Sequence, residues 1–158
     1  MNVHPKPEHS VAHGTFVIER KLAADPARVF RAWADPEIKA RWFGTSEDGQ
    51  GHFDFRVGGR EHSGGKGPNG EHFTFDVLYQ DIVPDNRIVY SYDMTMGGRR
   101  ISVSVAAIEL FPDGSGTRMT VTEHGAFLDG LDKMSDREQG TRWLVDQLAA
   151  ELDRQLKN

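Results

Sequence analysis

The C-terminal stretch constrains the fold most. On a helical wheel Leu144, Val145, Leu148, Leu152 and Leu156 fall on one arc with Thr141, and Asp146, Asp153 and Arg154 fall opposite. Ser135 and Glu138 stand at the Ser-x-x-Glu capping-box spacing, which predicts a helix over residues 136–156. One long amphipathic helix cannot bury its stripe alone. The rest of the chain must supply an apolar surface large enough to receive it, and its patterning reads mostly as strands.

Residues 15–22 place Phe16, Ile18 and Leu22 in alternation with Val17, Glu19 and Lys21, which predicts a first strand. Asp25-Pro26 and Asp35-Pro36 each combine an N-cap residue with a proline at the first helical position. They predict two short helices, one carrying Val29, Phe30 and Trp33, the other running from Ile38 to Trp42-Phe43 and stopped by Gly44. Residues 52–57 alternate, with Phe53, Phe55 and Val57 on one face, before a tight turn at Gly58-Gly59. A strand leaves at Arg60, and glycine-rich residues 64–70 read as a flexible hairpin tip. Further strands are predicted over residues 73–83, 87–94, 100–111 and 117–123. Turns at Pro84-Asp85-Asn86, Gly97-Gly98 and Pro112-Asp113-Gly114 separate them. Such short spacings favour an antiparallel meander. The expected fold is α+β: a curved antiparallel sheet wrapped round the long helix, with the two short helices closing one end. A twisted sheet and a straight helix enclose a wedge, which becomes either packed core or ligand cavity. Residues 1–14, rich in proline and histidine, are expected to be a flexible tail, and residues 15–158 one domain.

Composition removes several function classes. A net charge of -5 and a pI near 5.8 argue against nucleic acid or an anionic lipid surface as partner. The chain has no cysteine, so disulfides, zinc–thiolate sites and thiol catalysis are excluded. No apolar run reaches the length of a membrane span and the first residues lack the apolar core of a signal peptide, so the expected location is cytoplasmic, with no membrane partner. No cofactor is expected. Gly64-Gly65-Lys66-Gly67 lacks the Gly-Lys-Ser/Thr ending and the following helix of a phosphate loop, and there is no Gly-x-Ser-x-Gly elbow.

A set of motifs then occurs in a specific order. Arg20-x-Leu22 and Pro26 are followed by Val29-Phe30-x-Ala32-Trp33-x-Asp35-Pro36-Glu37 and Trp42-Phe43-Gly44. Next come Asp54-x-Arg56-x-Gly58-Gly59, Ile82-Val83-Pro84 and Arg87-Ile88-Val89-Tyr90. Gly116-Thr117-Arg118-Met119, Thr122-Glu123-x-Gly125 and Arg137-x-x-Gly140 with Leu148 close the series. Over residues 16–152 the chain resembles the Hsp90 ATPase activator homologue-like branch of the START-like (SRPBCC, Bet v 1-like) superfamily. That resemblance implies a helix-grip fold. Relatives often place an aromatic residue where this chain has Thr141, which makes the inner wall smaller there.

START-like domains include binders of lipids, hormones and polyketides, enzymes that cyclise or hydrolyse them, and protein-interaction modules, so the function must be read from the site. Strand alternation puts Ile88, Tyr90, Tyr92 and Met94 on one face, Phe73, Phe75, Val77 and Tyr79 on another, and Met119, Val121 and Glu123 on a third. Facing Thr141, Leu144 and Leu148 of the helix, they would line a cavity suited to a small hydrophobic or amphipathic molecule. Asp54 and Arg56 are candidates for a polar anchor or for a structural ion pair. His62 and His72, if opposite each other across a hairpin, would with Glu61 approach a zinc site, but the spacings fit no closed metal motif and no metal is expected. The tail histidines His4, His9 and His13 are expected to do nothing specific. The leading expectation is ligand binding. A cyclase- or hydrolase-like enzyme using the same cavity, with Glu123 or Tyr90 handling protons, stands second. A chaperone-interaction module stands third, because the eukaryotic activators that name the family carry an additional N-terminal domain.

Overall fold

A computed structural model describes residues 8–157. In chain order it contains β1 (Val11–Leu22), α1 (Pro26–Ala34), α2 (Pro36–Phe43), β2 (His52–Phe53), β3 (Arg60–Lys66) and β4 (His72–Val83). These are followed by β5 (Arg87–Met96), β6 (Arg99–Asp113), β7 (Gly116–Leu128) and α3 (Met134–Leu156). The strands form one curved antiparallel sheet in the order β1-β7-β6-β5-β4-β3-β2. The meander therefore runs from β2 to β7, and β1 returns to flank β7. α3 packs along β1 and against α1 and α2. This is the helix-grip arrangement.

The local starts are built as their residues dictate. The Asp25 carboxylate accepts from the Arg28 amide at 3.0 Å, and that of Asp35 from the Glu37 and Ile38 amides at 2.9 and 3.2 Å. These contacts satisfy amides that the first helical turn leaves free. Gly44 ends α2 at φ 95°, a conformation costly for any residue with a side chain. Fully buried Ile108 and Met119 of the sheet and Leu148 and Leu152 of α3 fill the space between helix and sheet.

Four expectations are corrected. The first strand begins at Val11, not near residue 15. β7 runs on to Leu128 and pairs Val11 with it, and the Asp129 carboxylate takes the Ser10 amide at 2.9 Å. The rest of the expected tail, residues 1–7 with His4, lies outside the described residues. The strand expected over 52–57 pairs only at His52–Phe53. Beyond it the chain turns back, with the Gly59 amide donating to the Arg56 carbonyl, and Val57 is exposed. Gly64 and Gly65 are buried inside β3, while the hairpin turn is confined to residues 67–70. A Cβ on Gly64 would stand 2.3 Å from the Asp48 carboxylate, so glycine there lets the 44–51 segment lie directly on the strand. Finally, the capping box does not form. α3 starts two residues early at Met134, with Lys133 at the N-cap and no side-chain cap. The Asp132 carboxylate instead accepts from the Lys133 amide and from Arg137, both at 2.8 Å, so a different local contact stands at the helix start.

Candidate functional site

Between α3, the end of α2 and the inner face of β4, β5 and β7 lies a cavity of about 560 Å³. That is within the roughly 300–1,000 Å³ of small-molecule sites. Of the residues singled out from sequence, Phe75, Tyr90, Tyr92, Met94, Val121, Glu123, Thr141 and Leu144 line it. Met119 and Leu148 do not. Both are fully buried in the packed core. Asp54 and Arg56 do not line it either. They pair with each other at 2.8 Å in the exposed turn after β2, with Arg56 68% and Asp54 36% exposed, and are a surface ion pair.

The register explains the space. Glu123 is opposite Ala106, which is opposite Tyr90, which is opposite Tyr79. One row across the sheet thus carries two phenols and a carboxylate around the small Ala106. Trp33, Trp42 and Phe43 from the two short helices close one end, and Phe73 extends the aromatic wall.

The polar end is a hydrogen-bonded cluster. Glu123, 4% exposed, accepts from the Tyr92 hydroxyl and, at 2.9 Å, from the Thr141 hydroxyl. Arg137 donates to the Tyr92 oxygen at 3.1 Å, to Ser102 Oγ at 2.8 Å and to Asp132 at 2.8 Å. Its guanidinium also lies over the rings of Tyr92 and Phe127. Burial raises the Glu123 carboxyl above its ordinary value of 4.5, and the hydrogen bonds from Tyr92 and Thr141 and the Arg137 charge only partly oppose this. Burial, then the neighbouring Glu123 charge, also raises the phenols of Tyr90 and Tyr92. Burial works against the Arg137 charge, but Tyr92 and Asp132 outweigh it and hold the guanidinium ionised. Among the described residues the Tyr90 hydroxyl has no side-chain partner, so it faces the cavity as a free donor and acceptor. The arrangement can hold an apolar body and exchange a proton with one polar group.

Arg137 is the residue that sequence reasoning left without a role. Its signal was faint: Arg137 lies four residues before Thr141 and so shares its helical face. Ser102 on β6 is one of its acceptors. Trp143 is 60% exposed yet forms part of the cavity rim.

The histidines do not gather. His62 is opposite His52 and Asp76, not His72. Its ring is held at 2.6 Å by both Asp48 and Asp76, and its hydrogen bonds to Asp48 first and then to Asp76 raise its pKa. Glu61 points to the other face of β3, and His124 bonds Thr15 at 2.9 Å on the outside of the sheet. Among the described residues no group of three potential ligands has metal-binding geometry, and no helix is long and apolar enough to cross a membrane.

The family model described as activator of Hsp90 ATPase homolog 1-like protein matches residues 23–153. The chain belongs to this family. Its fold is similar to that of the Mll3558 protein of Rhizobium loti, with a TM-score of 0.85 and 48% identity over 90% of this chain and 99% of that one. A Rhizobium leguminosarum protein has a TM-score of 0.86 and 41% identity, over 92% and 98% of the two chains. DynU16, a protein of the dynemicin biosynthetic locus, matches at a TM-score of 0.64 and 19% identity over 88% of this chain and 47% of its own, which is a likeness of fold alone. No curated protein matches the chain.

Proposed function

We propose that the chain binds a small, largely apolar molecule in the cavity under α3, with one polar group of that molecule meeting Glu123 and Tyr90. The observation that carries this reading is a buried carboxyl on the wall of an otherwise aromatic space of about 560 Å³. A packed core has no use for such a group, since a buried carboxyl is costly unless its hydrogen-bonding capacity is filled. A ligand hydroxyl or carbonyl beside Glu123 and Tyr90 would fill it. A second reading, a cyclase-like enzyme, is favoured by one specific feature. The raised Glu123 carboxyl sits closer to the pH at which a general acid or base works well. A chaperone partner finds no comparable feature in this cavity.

The test uses anilinonaphthalene sulfonate, whose fluorescence rises in apolar surroundings, with the folded protein and with Val121→Phe. The dye is expected to bind the native protein, and the added ring to weaken it by about tenfold, or ~1.4 kcal/mol. Absence of native-state binding, or equal affinity in the variant, would remove the cavity as a binding site. Native mass spectrometry of protein purified from cells would then identify what it carries. Glu123→Gln separates the two readings: a binder retains its ligand, whereas an enzyme retains the ligand and loses turnover.

A further inference from the structure

A second polar cluster lies outside that cavity. Lys39, on α2, is 7% exposed. Its ammonium is 2.7 Å from Glu61 Oε1 and 3.3 Å from the Tyr79 hydroxyl, and that hydroxyl donates to the same carboxylate oxygen at 2.6 Å. The rings of Phe43 and Phe53 stand 4.7 and 4.8 Å from the nitrogen. Lys39 and Glu61 form part of the wall of a separate cavity of about 230 Å³ beneath the 44–51 segment, with Phe43, Phe53 and Ser63.

We propose that Lys39 is an amine nucleophile that captures small aldehydes or ketones in this second cavity as an iminium. The site has the two parts that such chemistry needs, an amine in an apolar pocket and a carboxylate to take its proton, and the Tyr79 hydroxyl, donating to Glu61, holds that carboxylate in place. Proton transfer from the ammonium to Glu61 has only to cross the existing 2.7 Å hydrogen bond. The freed nitrogen lone pair attacks the carbonyl carbon, and the oxygen takes a proton as the C–N bond forms. The nitrogen then expels that oxygen as water, with the second proton delivered through Glu61. An ammonium and a carbonyl compound thus become an iminium and one water, with charge unchanged and no oxidant or reductant consumed. Burial lowers the Lys39 pKa, and the Glu61 charge and hydrogen bond only partly restore it, which raises the share of free amine at neutral pH. This inference is independent of the larger cavity, since its reacting groups, Lys39 and Glu61, do not line that cavity, although Phe43 and Ser63 border both.

The experiment treats the intact protein with propionaldehyde and sodium cyanoborohydride at neutral pH, which reduces any iminium to a stable propyl-lysine. Time-resolved peptide mass spectrometry then ranks the lysines. Lys39 is expected to be propylated severalfold faster than the exposed Lys21, Lys66, Lys133 and Lys157. The advantage should vanish in urea, and Lys39→Arg should lose this label while the other lysines keep theirs. Labelling of Lys39 no faster than the exposed lysines, or labelling only after denaturation, would overturn the proposal and leave Lys39 a structural counter-ion. The wild-type ranking decides the matter even if the variant fails to fold.

Discussion

Glu61 and Glu123 are both buried, both lie on the inner face of the sheet, and both accept a tyrosine hydroxyl. They differ in where the positive charge stands. Lys39 touches Glu61 directly at 2.7 Å, so that charge is answered on the spot. Arg137 reaches Glu123 only through Tyr92, and spends its other donors on Ser102 and Asp132. Burial therefore raises the Glu123 carboxyl, and the larger cavity opens beside it. Placement of the cation by one hydrogen bond nearer or farther separates a carboxylate that is already paired from one with capacity left for a ligand.

The largest effect should come from breaking the Lys39–Glu61 pair. Lys39→Met leaves Glu61 buried without its cation and should cost about 3–5 kcal/mol in urea denaturation, with much of it recovered in the double variant Lys39→Met/Glu61→Gln. A single-variant loss below about 1 kcal/mol would mean that water already reaches Glu61 and that the two regions do not differ.

The open region should respond in the opposite direction. Because the Glu123 carboxyl titrates higher in the folded chain than in the unfolded one, its contribution to stability is complete below the ordinary value of 4.5 and is lost as pH rises through the folded value. Glu123→Gln removes that loss. The variant should be more stable than the parent at neutral pH by about 1 kcal/mol, the scale of one buried polar group. The difference should disappear on acidification below 4.5. A lower urea midpoint for the variant at neutral pH would show that Arg137 answers Glu123 as fully as Lys39 answers Glu61.

Two helix starts supply the small end of the scale. Asp35→Ala removes a carboxylate that two amides use and should cost about 1 kcal/mol. Ser135→Ala lies inside α3 and caps nothing, so thermal or urea midpoints should stay within about 0.5 kcal/mol of the parent. A loss near that of Asp35→Ala would restore the capping box.

Much of the architecture was legible because it rests on neighbours in the chain. Asp25 and Asp35 cap helices through amides two or three residues away. The alternation around Tyr90, Tyr92 and Met94, and around Val121 and Glu123, marked an inner face correctly, because successive residues of a strand must point to opposite sides. The same local logic failed at Ser135, where Asp132 and Arg137 outcompete the capping box, and in residues 54–57, where alternation continues but no partner strand does. Lys39 shows the limit well. Its spacing of three and four residues before Trp42 and Phe43 puts it on their buried face, but a lysine reads as solvent-facing until Glu61 is known to wait there.

By itself the sequence determined the order of elements, the inner faces of the strands and the stripe that lays α3 on the sheet, since each follows from backbone periodicity and hydrophobic burial within a few residues. Only the tertiary structure decided which inner residues face empty space and which fill the core, and which cation meets which carboxylate. Those outcomes depend on side chains brought together from far apart in the chain, such as Tyr92, Glu123 and Arg137, and on how far a curved sheet stands from a straight helix at each point along it.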